Sequence, residues 1–168
     1  MSSVHTLIEL FIYNSTINFI FSIYNLICEV SNMENVPFSK ILLATDGSEN
    51  SAKAVDASLQ LAKSMGASID IVHVIQAAWG TEVDTDSRTK GEKIVAEIKQ
   101  KAQSQGIHAD DAVIVGNPAE MIINYADRIK VDLIVLGTKG LSGIKKFMLG
   151  SVAENVVRHS KRPVMVVP

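Results

Sequence analysis

Two stretches of the chain carry residue types suited to holding an anionic ligand. The first is Gly137-Thr138-Lys139-Gly140, which after nine further residues, Leu141 to Leu149, reaches Gly150-Ser151. Glycines at 137, 140 and 150 let the backbone come close to a ligand and adopt conformations with positive φ. Gly150-Ser151 opens a helical pattern, and the free amides and dipole of a helix start form an anion site. Lys139, Lys145 and Lys146 add positive charge along the same stretch. The second is a lone acid, Asp46, in the turn Thr45-Asp46-Gly47-Ser48 that follows an apolar run. A carboxylate beside a phosphate would repel it, so Asp46 suits ribose hydroxyls or a base. Together the two stretches sketch a nucleotide, sugar toward Asp46 and phosphates toward Gly150. Each also has a plainer reading: Asp46-Gly47 as a turn alone, and Ser151 with Glu154 as a helix cap alone.

Several other chemistries fail on residues. There is no Gly-x-x-x-x-Gly-Lys-[Ser/Thr] phosphate loop and no Gly-x-Gly-x-x-Gly dinucleotide fingerprint. The 4 histidines, His5, His73, His108 and His159, are never closer than 35 positions, which excludes local metal-binding pairs. None has a nucleophile and an acid arranged as a triad. His73 reads as a core histidine on a strand and the other three as surface residues. With no positioned general base near the glycines, binding is favoured over rapid hydrolysis, and no catalytic residue is assigned. A slow ATPase or autophosphorylating enzyme is the alternative.

The elements that must position these residues alternate through the C-terminal three-quarters of the chain. Strands are expected at 40–45, 68–74, 112–115, 132–136 and 163–167, four of them near-continuous apolar runs. Between them lie helical patterns. Ala52, Val55, Leu59 and Ala62 form one apolar face closed by Gly66, and Ile94, Val95, Ile98 and Ala102 form a second closed by Gly106. Asn117-Pro118-Ala119-Glu120 supplies cap, first-turn proline and acid for a third helix running to Lys130. Ser151-Val152-Ala153-Glu154 opens the last with a capping-box pattern. Residues 76–90, polar and acidic around Trp79-Gly80, read as a surface loop. Continuous apolar strands alternating with helices imply a three-layer α/β fold around an open parallel five-stranded sheet. Such sheets bind ligands beyond the carboxyl ends of their strands, where the winding reverses.

Composition sets the outer bounds. The 168 residues are 47% hydrophobic with a net charge of −2, a packed domain without the field expected of a nucleic-acid binder. One cysteine, Cys28, rules out a disulfide framework and suits a cytoplasmic, reducing setting. Residues 1–39 hold no Lys, Arg or Gly but contain Phe11, Tyr13, Phe19, Phe21, Tyr24 and Phe38, so residues 1–38 are set apart as an apolar extension from a domain over 39–168. Three readings fit that extension. It is a helix docked on a partner, a segment in contact with a membrane through residues 4–30, or an extension ahead of a true start at Met33. Leu10 to Cys28 carries no charge, but Asn14, Asn18 and Asn25 are costly in hydrocarbon and no basic residue flanks them, so membrane contact is the less favoured.

The spacing Gly137-x-x-Gly140, nine residues, Gly150-Ser151, lying between strand four and the last helix, resembles the mark of the universal stress protein family. The resemblance runs from about Ser39 to Pro168 and takes in Thr45-Asp46-Gly47-Ser48, His73-Val74 and Val115-Gly116. It implies a Rossmann-like sheet of the adenine nucleotide alpha hydrolase type with strand order 3-2-1-4-5. It also implies an ATP site used in a stress-response or signalling module. In that site Asp46 meets the adenosine, the backbone near Val74 meets the adenine, and Gly137, Gly140, Gly150, Ser151 and Val152 surround the phosphates, with Ala44, Thr45 and Leu136 completing the set. Mg2+ or Mn2+ would accompany the phosphates with no protein metal ligand assigned. Ala153 replaces a hydroxyl residue found in some members, which puts one phosphate contact in doubt. A homodimer through the edge strand 163–167 and an unidentified protein partner are further implications.

Overall fold

The computed structural model describes residues 38–78, 82–138 and 149–168. The expectations placed on residues 1–37, including Cys28 and the N-terminal helix, lie outside the described residues, as do Trp79, Gly80, Lys139, Gly140, Lys145 and Lys146. Among the described residues no helix is long and apolar enough to cross a membrane.

Among the described residues five strands and four helices alternate: β1 (Lys40–Ala44), α1 (Glu49–Met65), β2 (Ser68–Gln76), α2 (Thr85–Ser104), β3 (Ala109–Gly116), α3 (Pro118–Ile129), β4 (Leu133–Gly137), α4 (Ser151–His159) and β5 (Val164–Val167). All strand pairs are parallel and the order is β3-β2-β1-β4-β5. The chain winds outward to β3, then returns to place β4 on the other side of β1, so the direction reverses between β1 and β4. There Ala44 lies opposite Leu136.

Alternation along each strand divides the core into two layers. Ile41, Leu43, Ile69, Ile71 and Val135 pack under Val55, Leu59 and Val95 of α1 and α2. Leu42, Val72, Ile134 and Leu136 pack under Ile122, Ala126 and Val156 of α3 and α4. Every one of these side chains is under a tenth exposed, which is why β1 and β4 read as nearly unbroken apolar runs.

The boundaries differ from the sequence expectation where polar residues sit inside elements. α2 starts at Thr85, so the expected loop over 76–90 is wrong over 85–90. Asp84 caps the helix, accepting the Ser87 amide at 2.7 Å, and the exposed polar turn that follows hides a helix from a hydrophobic pattern. β3 begins at Ala109 and not Ala112, because Asp110 and Asp111 pair in register with Asp70 and Ile71. β2 runs on to Gln76, opposite Gly116. In α1, Ala52 is exposed, and Ser51 and Ser58 take buried places that apolar spacing alone cannot reveal. Gly66 ends α1 in the left-handed conformation and Asn117 caps α3, both as read from sequence.

Candidate functional site

A cavity of about 530 Å³ opens at the carboxyl ends of β1, β2 and β4, at the reversal between β1 and β4. That volume is within the range of small-ligand sites, on the order of 300–1,000 Å³. Its floor is formed by Ala44, Val72 and Leu136, and one end by Gly150, Ser151, Val152 and Ala153 at the start of α4. The opposite end is walled by Val74, Ile75 and Gln76 of β2 with Ser87, Lys90 and Ile94 of α2.

Nine of the ten residues singled out from the sequence line this one cavity: Ala44, Thr45, Asp46, Val74, Leu136, Gly137, Gly150, Ser151 and Val152. Gly140 lies outside the described residues. Thr45, buried just past the end of β1, is held from several sides. Its amide donates to the Val72 carbonyl at 3.0 Å, prolonging the β1–β2 ladder by one residue. Ser51 Oγ donates to the Ser48 carbonyl at 2.8 Å, so in the 3.0 Å contact between the two hydroxyls Thr45 Oγ1 is the donor. Thr45 Oγ1 also accepts the Gly47 amide at 3.2 Å. A hydroxyl has one proton, and that of Thr45 is used inside the turn. Thr45 therefore shapes the cavity more than it offers a donor to a ligand.

Asp46 follows at the rim, half-buried, with Oδ1 accepting the Ser48 amide at 3.0 Å. Gly47 makes the turn possible. Its φ is +73°, and a Cβ there would fall 2.5 Å from Ile94 Cδ1. The residue type is thus set by the backbone conformation, and a side chain there would also have to displace Ile94 of α2.

The start of α4 departs from the sequence reading in two respects. The cap residue is Gly150, not Ser151, and no side chain supplies a cap hydrogen bond, so the Ser151–Glu154 capping box does not form. Ser151 is already helical, which turns its hydroxyl away from the position a capping oxygen takes. Gly150 has φ −65° and ψ 150°, an ordinary extended conformation. A glycine at this position is therefore not demanded by backbone freedom. Its effect is to leave the first turn of amides without a side chain over them, at the edge of a cavity. Gly137, likewise, ends β4 as regular strand, with no positive φ.

Sequence reasoning missed the α2 wall. Ser87, Lys90 and Ile94 are spaced as one helical face, a pattern obscured by reading most of that segment as loop. It also read His73 as plain core, whereas the ring is half-buried and lines the cavity. His108 and His159 are exposed, as expected. Among the described residues no group of three His, Cys, Asp or Glu could hold a metal ion.

The model of the universal stress protein family matches residues 37–168. The chain belongs to the universal stress protein family. Universal stress protein YxiE of Bacillus subtilis is 38% identical over 146 residues, covering 77% of this chain and 99% of that one. Among solved structures, protein MJ0577 of Methanocaldococcus jannaschii superposes with a TM-score of 0.65 at 31% identity, covering 79% of this chain and 96% of that one. A universal stress protein solved in complex with cAMP superposes with a TM-score of 0.65 at 29% identity, covering 79% and 99%.

Proposed function

We propose that this chain binds an adenine nucleotide across the cavity, ATP above all, and works as a nucleotide-dependent stress-response or signalling module. One observation carries the reading: the uncapped first turn of α4 opens on a cavity whose other rim holds Asp46. Amides without a side-chain cap, at the positive end of a helix dipole, suit a phosphate chain. Asp46 stands at the cavity rim with Oδ1 accepting the Ser48 amide, and a carboxylate there suits ribose hydroxyls or the base. Val74 and Gln76 line the end of β2 where a base would lie, and Leu136 and Val72 offer it an apolar floor. The solved relative in complex with cAMP supports an adenine nucleotide as the ligand class. Mg2+ or Mn2+ would be carried by the phosphates, since the described residues offer no metal cluster.

Purified protein, denatured and examined for released nucleotide, tests the reading together with melting in the presence of ATP, AMP and cAMP. A ligand at a hundred times its Kd stabilises by about 2.7 kcal/mol, an easily measured rise in Tm. No retained nucleotide and no rise at millimolar ATP would sink the proposal. Sustained turnover abolished by Asp46→Ala would replace binding with the enzyme reading.

We further propose a cytoplasmic homodimer joined through residues 163–167. β5 is an edge of the sheet, half-buried along its length, and an apolar edge invites pairing with a second copy. A monomeric mass by light scattering at micromolar concentration would overturn the dimer.

A further inference from the structure

His73 is placed between three parts of the site. Nδ1 is 3.0 Å from the Thr45 carbonyl oxygen, and because a carbonyl only accepts, the ring donates from Nδ1. The amide of Thr45 is held on its other side by the Val72 carbonyl at 3.0 Å. The residue immediately before Asp46 is thus fixed through both of its backbone polar groups, one of them by a side chain from the neighbouring strand. The opposite edge of the ring abuts α2: a Cβ added to Gly91 would lie 2.8 Å from His73 Cδ2 and 3.5 Å from Nε2. Gly91 is buried in the middle of α2, where glycine weakens a helix by about 1 kcal/mol relative to alanine. Its place there is accounted for first by the room the imidazole needs and then by Val113, whose Cγ1 would be 3.2 Å from the same Cβ.

We propose that His73 is the positioning residue for the sugar end of the site, its Nδ1–H fixing the Thr45 carbonyl so that Asp46 is held at the cavity rim, with Gly91 keeping α2 clear of the ring. The inference rests on the nucleotide reading above and assigns the control of that end of the ligand to a side chain on β2. The phosphate end, built from α4, is independent of it. His73 acts through Thr45 and Asp46; it is not itself a catalytic residue.

Calorimetric titration of the full chain with ATP and with inorganic tripolyphosphate tests this. His73→Leu is expected to weaken ATP roughly three- to tenfold, the scale of one lost hydrogen bond, while leaving tripolyphosphate affinity unchanged. His73→Asn places an amide N–H where Nδ1 stands and is expected to restore ATP binding. His73→Gln carries its donor one atom further out and is not. His73→Leu combined with Asp46→Ala is expected to cost no more than Asp46→Ala alone, because both act on one contact. Gly91→Ala, a favourable change for a helix, is expected to weaken ATP by crowding the ring. In nucleotide-free protein, amide exchange at Gly47 and Ser48 should rise in His73→Leu and not in His73→Asn.

Equal losses for ATP and tripolyphosphate would overturn the positioning role, as would additive effects with Asp46→Ala or equal behaviour of the Asn and Gln variants. If wild-type protein binds no nucleotide, the proposed function fails and this inference with it. If wild-type binds and His73→Leu binds equally well, only the inference fails.

Discussion

Gly150 donates its amide to the Thr138 carbonyl across 2.7 Å, joining the exit of β4 to the entry of α4. Thr138 is itself fixed, its amide donating to the Val167 carbonyl of β5 at 2.8 Å. The first turn of α4 is therefore held against the sheet from its cap residue. An anion site that is to meet a ligand in one orientation needs this kind of anchoring.

Because Gly150 has an ordinary extended conformation, a side chain there meets no backbone penalty. Gly150→Asp should supply the missing cap and stabilise α4 by about 0.3–1 kcal/mol. The same carboxylate would occupy the first-turn amides and repel phosphates. A higher Tm with lost nucleotide binding is the expected pair of results. Retained binding would show that the amides are not the phosphate site.

Gly47 should be far less tolerant. Alanine at φ +73° costs about 1–2 kcal/mol, and its Cβ would meet Ile94 at 2.5 Å. Gly47→Ala is expected to lower Tm by on the order of 5 °C, read by thermal melting without ligand. A Tm within a degree of wild type would mean that the turn can rearrange.

Asp70 sits almost fully buried under the α3 face, with Lys40 Nζ at 3.4 Å. Burial pushes its pKa above the usual carboxylate range, and the Lys40 charge and hydrogen bond only partly oppose this. A raised folded-state value means the ionised form weakens the fold. Stability from this group is recovered as pH falls through that value and is complete below the unfolded value near ~3.9. Asp70→Asn should thus melt higher than wild type at neutral pH, with the gap closing on acidification. A gap that widens toward acid would contradict the assignment.

Asp132 behaves in the opposite sense. Partial burial works to raise its pKa, but the Ser39 hydroxyl, the Ser39 and Lys40 amides and the Arg162 charge outweigh it and hold the carboxyl below its ordinary range. Oδ2 alone accepts all three of those hydrogen bonds, at 2.8 to 2.9 Å. Its contribution is present above about pH 3.9 and is lost as pH falls below it. Chemical denaturation between pH 5 and 2 should show wild type losing more stability than Asp132→Asn. Parallel curves would refute the claim.

The layers of the fold were legible because both faces of the sheet are covered, which leaves strands such as 133–136 apolar throughout. Boundaries were not legible where function or register places polar residues inside an element. Asp110 and Asp111 in β3 look like a turn until their pairing with β2 is seen, and Thr85 to Lys90 look like a loop until the cap at Asp84 is seen. The cavity was legible through Asp46, Gly137 and Gly150, since the expected strand order sets the ends of β1 and β4 side by side at the reversal. His73 was not, because the partner that gives it a role is a backbone carbonyl 28 positions away, and carbonyls leave no mark in a sequence.

The three hydrogen bonds onto Asp132 also fasten the entrance of β1, and they do so at the amino edge of the sheet. The cavity is at the other edge, a full strand length away. A tether joined directly at Ser39 would therefore start from the far pole of the domain. Anchoring the protein to a solid support by that route should leave its mouth facing solution.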